Sequence, residues 1–151
     1  MTVFAKIIAG ELPAHFVHSD EHCVAFMDIN PMSPGHVLVV PRTTVATMAE
    51  LDAQTRRHLI ETAVRVGQAQ QQGLGSQAQH LLVNDGKGAS QTVPHVHVHV
   101  IPRYPRDALR TMAHILWHVT TLAIPSRPSQ ERMEALGEQA ARIRVAMTTG
   151  R

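Results

Sequence analysis

Three histidines stand at every second position near the middle of the chain, His95, His97 and His99, with valines between them. Because a β-strand turns successive side chains to opposite faces, the three imidazoles would share one face and the valines the other. Neighbouring imidazoles would then begin ~6.6 Å apart, from the rise of a strand. A row of titratable rings is a costly way to fill a core, so the pattern predicts a site that does chemistry.

Two kinds of chemistry fit this row. A His-x-His pair can place two nitrogens on a metal ion at ~2.0–2.1 Å, and zinc would need further Cys, His, Asp or Glu ligands. Alternatively, one neutral imidazole attacks phosphorus while an acceptor holds its other ring nitrogen. The loop over residues 84–92 favours phosphorus, because it offers amide, hydroxyl and glycine N–H donors but only one acid, Asp85, and no cysteine. The sequence has neither the P-loop pattern nor a dinucleotide fingerprint.

The strands that would position these groups are short apolar runs bounded by turn residues. They are predicted over residues 15–19, 22–28, 36–41, 80–84 and the histidine segment itself. The runs follow one another with tight turns or a single helix between them. We therefore expect a mostly antiparallel five-stranded sheet.

Three segments predict helices. The first covers residues 3–9, and Asp52 can cap the second, over residues 53–72, which Gly73 and Gly75 end. The third follows residue 129, where apolar residues recur at spacings of three and four: Met133, Leu136, Ala140, Ile143 and Met147. Residues 107–124 fit either a helix or an irregular arm. The sheet and helices together predict an α+β fold with a long helix and a C-terminal helix, the helices lying on one side of the sheet.

The bulk composition narrows the class of protein. With 151 residues and a 44% hydrophobic share, the chain fits one domain over residues 1–151, and its five aromatic residues imply an aliphatic core. A net charge of +2 does not suggest a nucleic-acid groove. A single cysteine, Cys23, suits a reducing compartment. Because we find no signal peptide and no apolar run of about 20 residues, we expect a cytoplasmic protein that does not enter a membrane.

The stretch from Asn84 to Arg103, which contains His-Val-His-Val-His-Val-Ile, closely resembles the signature of the histidine triad (HIT) family. Residues 3–13, with Phe-Ala-Lys-Ile-Ile-Ala-Gly-Glu, resemble the opening segment of that family, and residues 25–41 resemble its second block. The resemblance therefore covers residues 3–103 in order and spacing. It is stronger to the Hint-like and bacterial branch, and it implies a HIT-like fold for the whole chain with a divergent region over residues 104–151.

The resemblance implies an enzyme that hydrolyses or transfers nucleoside monophosphates at the α-phosphorus. His97 would be the nucleophile that forms a nucleotidyl-histidine. His95 would orient His97 through its backbone carbonyl, with His36 paired to His95, while His99 would contact phosphate oxygens. Asp28, expected at the end of a strand without burial, would bind the ribose hydroxyls. The remaining positions would bind phosphate, namely Asn84, Gln91 and Thr92, or form an apolar slot for a purine, namely Phe4, Ile7, Phe26, Ile29 and Leu38.

The chain departs from the family pattern in places that matter for cofactors. Some bacterial members bind structural zinc through a Cys-x-x-Cys pair and a later histidine, whereas this chain has Thr2, Ala5 and Thr44 there. We therefore expect no structural zinc and no required cofactor, although Mg²⁺ could accompany the substrate. Ser90 stands where a glycine is usual. The family also implies a homodimer, for which the helix over residues 53–72 is the candidate contact.

Several of these residues also have ordinary structural interpretations. The other histidines are expected to be surface or satisfied core groups: His15, His18, His22, His58, His80, His114 and His118. Cys23 is expected to be inert and partly buried, and Phe4, Ile7 and Leu38 could be ordinary core. For function, phosphoramidates and dinucleoside polyphosphates are the leading substrates. A nucleotide-binding regulatory or interaction module with negligible turnover, and a metal-dependent enzyme, stay open as alternatives.

Overall fold

The strands form one antiparallel sheet. The structure, a computed structural model, describes residues 1–121 and 129–149, and the side chains of residues 115 and 117–121, His118 among them, lie outside that description. The strands are β1 (Phe16–Ser19), β2 (Cys23–Met27), β3 (Val37–Pro41), β4 (Ala78–Leu82) and β5 (Val98–Arg103). Their order is β1-β2-β3-β5-β4, and every neighbouring pair is antiparallel. The predicted α+β fold with a five-stranded sheet is confirmed.

Four α-helices accompany the sheet in the described ranges: α1 (Val3–Ile8), α2 (Ala53–Leu74), α3 (Ala108–Thr121) and α4 (Gln130–Thr149). Short 3₁₀ turns lie at Met48–Glu50 and Lys87–Ala89. The helix expected as one alternative over residues 107–124 is present as α3. None of the described helices is long and apolar enough to cross a bilayer.

The ends of α2 follow from local chemistry. The Asp52 carboxylate accepts the Thr55 amide at 2.8 Å, which satisfies one of the N–H groups that a helix start leaves unpaired. Gly75 ends the helix with φ 75°, a left-handed conformation that glycine adopts without steric cost. Gly73, expected as part of the stop, lies inside the helix instead. A Cβ atom there would lie 2.8 Å from the Arg142 carbonyl oxygen, so Gly73 lets α2 and α4 approach closely.

The sheet has two different faces, as alternation of side chains requires. Val96, Val98 and Val100 belong to the larger core, which α2 and α4 cover with Leu59, Val66, Leu136 and Ile143 among others. The opposite face carries a smaller cluster made of Phe4, Val24, Phe26, Leu38 and Val40. Because Phe4 belongs to α1, the helices do not all lie on one side, and that expectation was wrong. The short α1 covers the face that carries the histidines.

Candidate functional site

The histidine segment enters the sheet later than expected. Strand β5 begins at Val98, so only His99 of the three lies in it. The reason is a different backbone pairing before Val98, where the Val96 amide donates to the Val45 carbonyl at 2.9 Å, outside the sheet ladder. The alternation of faces persists, but the His97 and His99 ring centroids are 4.9 Å apart, closer than a full strand repeat.

His97 is held by the backbone of its neighbour. Its Nδ1 lies 2.8 Å from the carbonyl oxygen of His95. Because a carbonyl only accepts, Nδ1 carries the hydrogen and Nε2 carries the lone pair in the neutral ring. The His97 side chain is 5% exposed. A buried imidazole with its lone pair directed by one backbone acceptor has the form that a nucleophile requires.

His95 does not pair with His36, and that expectation was wrong. His95 Nε2 donates to the Pro41 carbonyl at 2.9 Å, and its Nδ1 lies 3.1 Å from the Thr2 hydroxyl. Nδ1 must therefore accept the hydroxyl hydrogen in the neutral ring. Burial lowers the pKa of His95, although the Pro41 carbonyl raises it in part. His95 is therefore a neutral side chain fixed at both ring nitrogens, and its backbone carbonyl accepts the hydrogen of His97 Nδ1.

His36 pairs instead with His99. His36 Nε2 lies 3.0 Å from His99 Nδ1, and the Met32 amide donates to His36 Nδ1 at 3.2 Å. Since Nδ1 accepts, Nε2 of a neutral His36 must carry the hydrogen and donate it to His99. His99 then carries its own hydrogen on Nε2. The backbone of Met32 thus determines that His99 presents an N–H donor, the polarity needed to bind an anionic oxygen.

Asp28 follows directly after β2 and is more buried than expected, at 9% exposure. Its Oδ1 accepts the Asn30 amide at 2.9 Å. Its Oδ2 is 3.6 Å from His36 Nδ1, beyond a good hydrogen bond, and that nitrogen already accepts the Met32 amide. The carboxylate therefore lies beside the histidines, within ion-pair distance of His36 but without a good hydrogen bond to it.

Four of the five apolar residues predicted for a base, Phe4, Ile7, Phe26 and Leu38, belong to or pack against the cluster on the histidine face. Phe26, Leu38 and His99 are successive partners across β2, β3 and β5, which places them in one row. Phe26 and Leu38 are 2% and 5% exposed, so both also serve as core. Phe26 and Leu38 therefore form an apolar floor that lies directly beside His99.

The rim of this floor is more open. The Phe4 ring centroid lies 5.1 Å from that of His97, in an edge-to-face arrangement. Ile29 is 47% exposed, and Ile7 on α1 is half-buried. Phe4 is buried with the floor, whereas Ile29 lies exposed in the bend after β2.

The loop over residues 84–92 is held in place by Gln91. Gln91 Oε1 accepts the Gly86 amide at 2.9 Å, and its Nε2 donates to the Ala46 carbonyl at 2.8 Å. Ser90 adopts φ 63°, the left-handed region where a glycine is favoured. This conformation explains why glycine is usual there. Within the same loop, Asn84 is half-buried and Thr92 is exposed.

One positioning residue was missed by the sequence analysis. Gln70 on α2 is fully buried, and its Nε2 donates to the Gly35 carbonyl at 2.9 Å and to the Val100 carbonyl at 3.0 Å. Gly35 precedes His36, and Val100 follows His99. The sequence held an indication of this role. Gln70 continues the spacing of Leu59, Ala63 and Val66, which places a polar residue on the buried apolar face of α2.

The fold and site define a class: an α+β protein with four buried histidines, His36, His95, His97 and His99, beside an acid and an apolar floor. The HIT domain family profile matches residues 9–106, and the chain belongs to the HIT family. Over 107 residues it is 40% identical to an uncharacterized HIT-like protein of Methanocaldococcus jannaschii, a match that covers 71% of this chain and 82% of that protein. It is 36% identical to adenylylsulfatase HINT3 of Arabidopsis thaliana, in an alignment that covers 71% of this chain and 54% of the plant protein.

Solved structures agree with this placement. A Zn-bound histidine triad family protein from Mycobacterium smegmatis superimposes with a TM-score of 0.76 at 28% identity, covering 97% of this chain and 93% of that one. A hypothetical histidine triad nucleotide-binding protein from Sulfolobus tokodaii gives 0.75 at 27% identity, covering 97% and 91%.

Proposed function

We propose that this chain is a nucleotide hydrolase or transferase that cleaves at the α-phosphate through a nucleotidyl-histidine intermediate on His97. The substrates would be purine nucleoside phosphoramidates, dinucleoside polyphosphates or related adenylylated compounds. The observation that carries the proposal is the 2.8 Å contact of His97 Nδ1 with the His95 carbonyl. The adenylylsulfatase among the relatives supports an adenylyl donor.

The reaction has two steps. The His97 Nε2 lone pair attacks the α-phosphorus, the bond from phosphorus to the leaving nitrogen or oxygen breaks, and the leaving group takes a proton from solvent. The phosphorylated ring is cationic, and the His95 carbonyl stabilises it by accepting the hydrogen on Nδ1. Water then attacks phosphorus and releases a proton to solvent, the P–N bond breaks with its electron pair going to Nε2, and His97 leaves as a neutral imidazole.

The surrounding groups have separate roles in the proposal. His99 Nε2–H contacts the phosphate oxygens, and Asn84, Thr92 and the backbone of the 84–92 loop supply further donors. Gln91 acts mainly by holding that loop against the Ala46 segment. Asp28 Oδ2 accepts hydrogen bonds from the ribose hydroxyls. The purine lies on the floor and rim described above: Phe4, Ile7, Phe26, Ile29 and Leu38.

The first prediction concerns His97. His97→Ala should lower kcat/KM for a fluorogenic adenosine phosphoramidate by more than about a thousandfold, because the attacking atom is gone. His114→Ala, at an exposed histidine, is the matched control and should retain full activity. If the intermediate forms, the wild type should release a rapid burst of about one equivalent of leaving group per chain. Turnover by His97→Ala, or a wild type that binds nucleotide without turning over, would contradict the proposal in favour of another nucleophile or a binding module.

The second prediction concerns Asp28. Asp28→Asn keeps an oxygen for the Asn30 amide but removes the charge that would bind the ribose, so it separates the two roles. We expect kcat/KM for ribonucleotides to fall about 10- to 150-fold, the equivalent of a charged hydrogen bond of about 1.5–3 kcal/mol. Activity toward 2′,3′-dideoxy analogues should change little. Equal losses on both substrates would remove Asp28 from the sugar site.

We propose that no protein-bound metal is needed for this chemistry. Ligand atoms of Asp28, His36 and His99 lie within 4.8 Å of one another, which is the observation that keeps a metal-dependent mechanism open. However, His36 Nδ1 accepts the Met32 amide and His36 Nε2 faces His99 Nδ1, so the lone pairs do not converge on one point. Activity that persists in EDTA with a phosphoramidate substrate supports the proposal, and its loss would favour the metal-dependent alternative.

A further inference from the structure

A second cluster of histidine, acid and thiol lies away from the catalytic histidines, where the β1–β2 hairpin meets α2. Asp20 occupies the turn of this hairpin. Its Oδ1 accepts the amides of His22 and Cys23, both at 2.8 Å. Cys23 belongs to the core that faces α2, whereas the catalytic site lies on the other face of the sheet. Nothing in the proposed reaction uses this cluster.

The other carboxylate oxygen of Asp20 lies within hydrogen-bond distance of two imidazole rings. His18 Nε2 lies 2.8 Å from Asp20 Oδ2, and His58 Nε2 on α2 lies 2.7 Å from the same atom. The Cys23 Sγ atom is 3.9 Å from that oxygen. The ligand atoms of His18, Asp20 and Cys23 all lie within 4.8 Å of one another. His18, Asp20 and Cys23 therefore form one compact group on the hairpin, and His58 reaches it from α2 through Asp20 Oδ2.

We propose that this cluster binds one zinc-class divalent ion through His18 Nε2, His58 Nε2, Asp20 Oδ2 and Cys23 Sγ. With metal–nitrogen and metal–oxygen bonds of ~2.0–2.1 Å, tetrahedral ligands would lie ~3.3 Å apart, so the two short contacts to Asp20 must open by about 0.5 Å. His58, which lies outside the group of ligand atoms within 4.8 Å of one another, must also turn its Nε2 toward His18 and Cys23. The rings would shift their hydrogens from Nε2 to Nδ1. The thiol proton leaves to solvent, and the carboxylate and thiolate balance the charge of the ion.

The ligand set determines the class of ion. Imidazole and thiolate favour zinc, cobalt and related transition metals, whereas calcium and magnesium favour all-oxygen sites. The two amides on Asp20 Oδ1 would support the ligand carboxylate from behind, as groups behind metal ligands usually do. The Arg42 guanidinium already donates to the Asp20 carbonyl and the Ser19 hydroxyl, which holds the hairpin in shape.

His58 lies on α2 and the other ligands lie on the hairpin, so the ion would tie these two elements together.

Cobalt(II) titration of the purified full chain tests the proposal. Cys23 is the only cysteine in the chain, so a thiolate-to-cobalt charge-transfer band can arise from no other residue. We expect saturable binding of one cobalt per chain with that band, and zinc should displace the cobalt. Cys23→Ser should lose the band, and His58→Gln should weaken binding by more than about a hundredfold, beyond the usual effect of a group that only supports a ligand.

The controls separate ligation from folding. His58 is partly exposed, so His58→Gln should fold, and far-UV circular dichroism checks both variants. His114→Gln should bind cobalt like the wild type. Zinc should raise the thermal midpoint of the wild type and of His114→Gln but not of His58→Gln, because an ion that binds only the folded chain stabilises it. Cobalt binding without a thiolate band, binding that His58→Gln leaves unchanged, or no saturable binding would each overturn the proposal.

Discussion

The histidines of the site owe their hydrogen positions to backbone groups. The His95 carbonyl determines the tautomer of His97, the Pro41 carbonyl that of His95, and the Met32 amide that of His36. A backbone partner leaves no trace in residue type. The family resemblance implied the role of the His95 carbonyl, but neither the Pro41 nor the Met32 partner could be expected from the sequence. The pairing of His36 with His99 rather than His95 likewise follows from the positions of β3 and β5, which composition and motif do not reveal.

Neutral His95 gives a prediction at this scale. Burial holds its pKa below the usual 6.5 in the folded chain. Below about pH 6.5 the unfolded chain therefore binds more protons at this position, and the free energy of unfolding should fall as the pH falls. We expect the loss of stability between about pH 7 and about pH 5 to be smaller in His95→Gln than in the wild type.

Urea unfolding at several pH values measures this slope. His114→Gln removes an exposed histidine and should leave the slope unchanged. If His95→Gln and the wild type lose stability in parallel over the same pH range, His95 is not held neutral by burial.

Elements were predicted well where periodicity was clear and poorly where a contact overrides local preference. The apolar positions of α4 predicted its buried face, and Leu136, Ala140 and Ile143 lie there. Strand β5 starts three residues after His95 because Val96 donates to Val45 instead of a neighbouring strand. Helix α2 continues through Gly73 because that glycine serves the contact with α4, a use that a single sequence cannot distinguish from a helix stop.

The two glycines inside α2 test this interpretation. A Cβ at Gly73 would lie 2.8 Å from the Arg142 backbone oxygen, whereas at Gly67 it would meet the movable end of the Gln79 side chain. Gly73→Ala should destabilise the fold by about 1–3 kcal/mol through overpacking. Gly67→Ala should be neutral or gain up to about 1 kcal/mol from helix propensity. Equal free energies of unfolding for the two variants would mean that α2 and α4 do not need the close approach.

At the scale of the whole molecule, the two edges of the sheet differ. The β1 edge lies beside α4, and the Arg144 side chain donates to the Phe16 carbonyl at 3.1 Å. Strand β4 forms the other edge, and its Leu81 is 42% exposed, while Ile60 on α2 is 39% exposed. Unpaired strand edges readily accept another strand. We propose that two chains pair through α2 and the β4 edge.

Light scattering after gel filtration checks this pairing. The wild type should have twice the 16.6 kDa mass of one chain. Leu81→Glu should shift the equilibrium toward monomer, because it places a charge in the proposed contact. The matched control is Leu109→Glu, at a leucine that is 90% exposed on α3, and it should remain dimeric. A monomeric wild type, or variants that behave alike, would contradict the proposed contact.

The buried Gln70 amide has a consequence for mutational maps of this chain. Its hydrogens join the backbone before His36 to the backbone after His99, from a helix on the far side of the sheet. A saturation scan scored by catalytic activity should therefore reveal an intolerant position on α2 that contacts none of the four site histidines. Replacing Gln70 would remove the donor shared by the Gly35 and Val100 carbonyls, so a designer who moves the site to another scaffold would have to carry this distant amide with it.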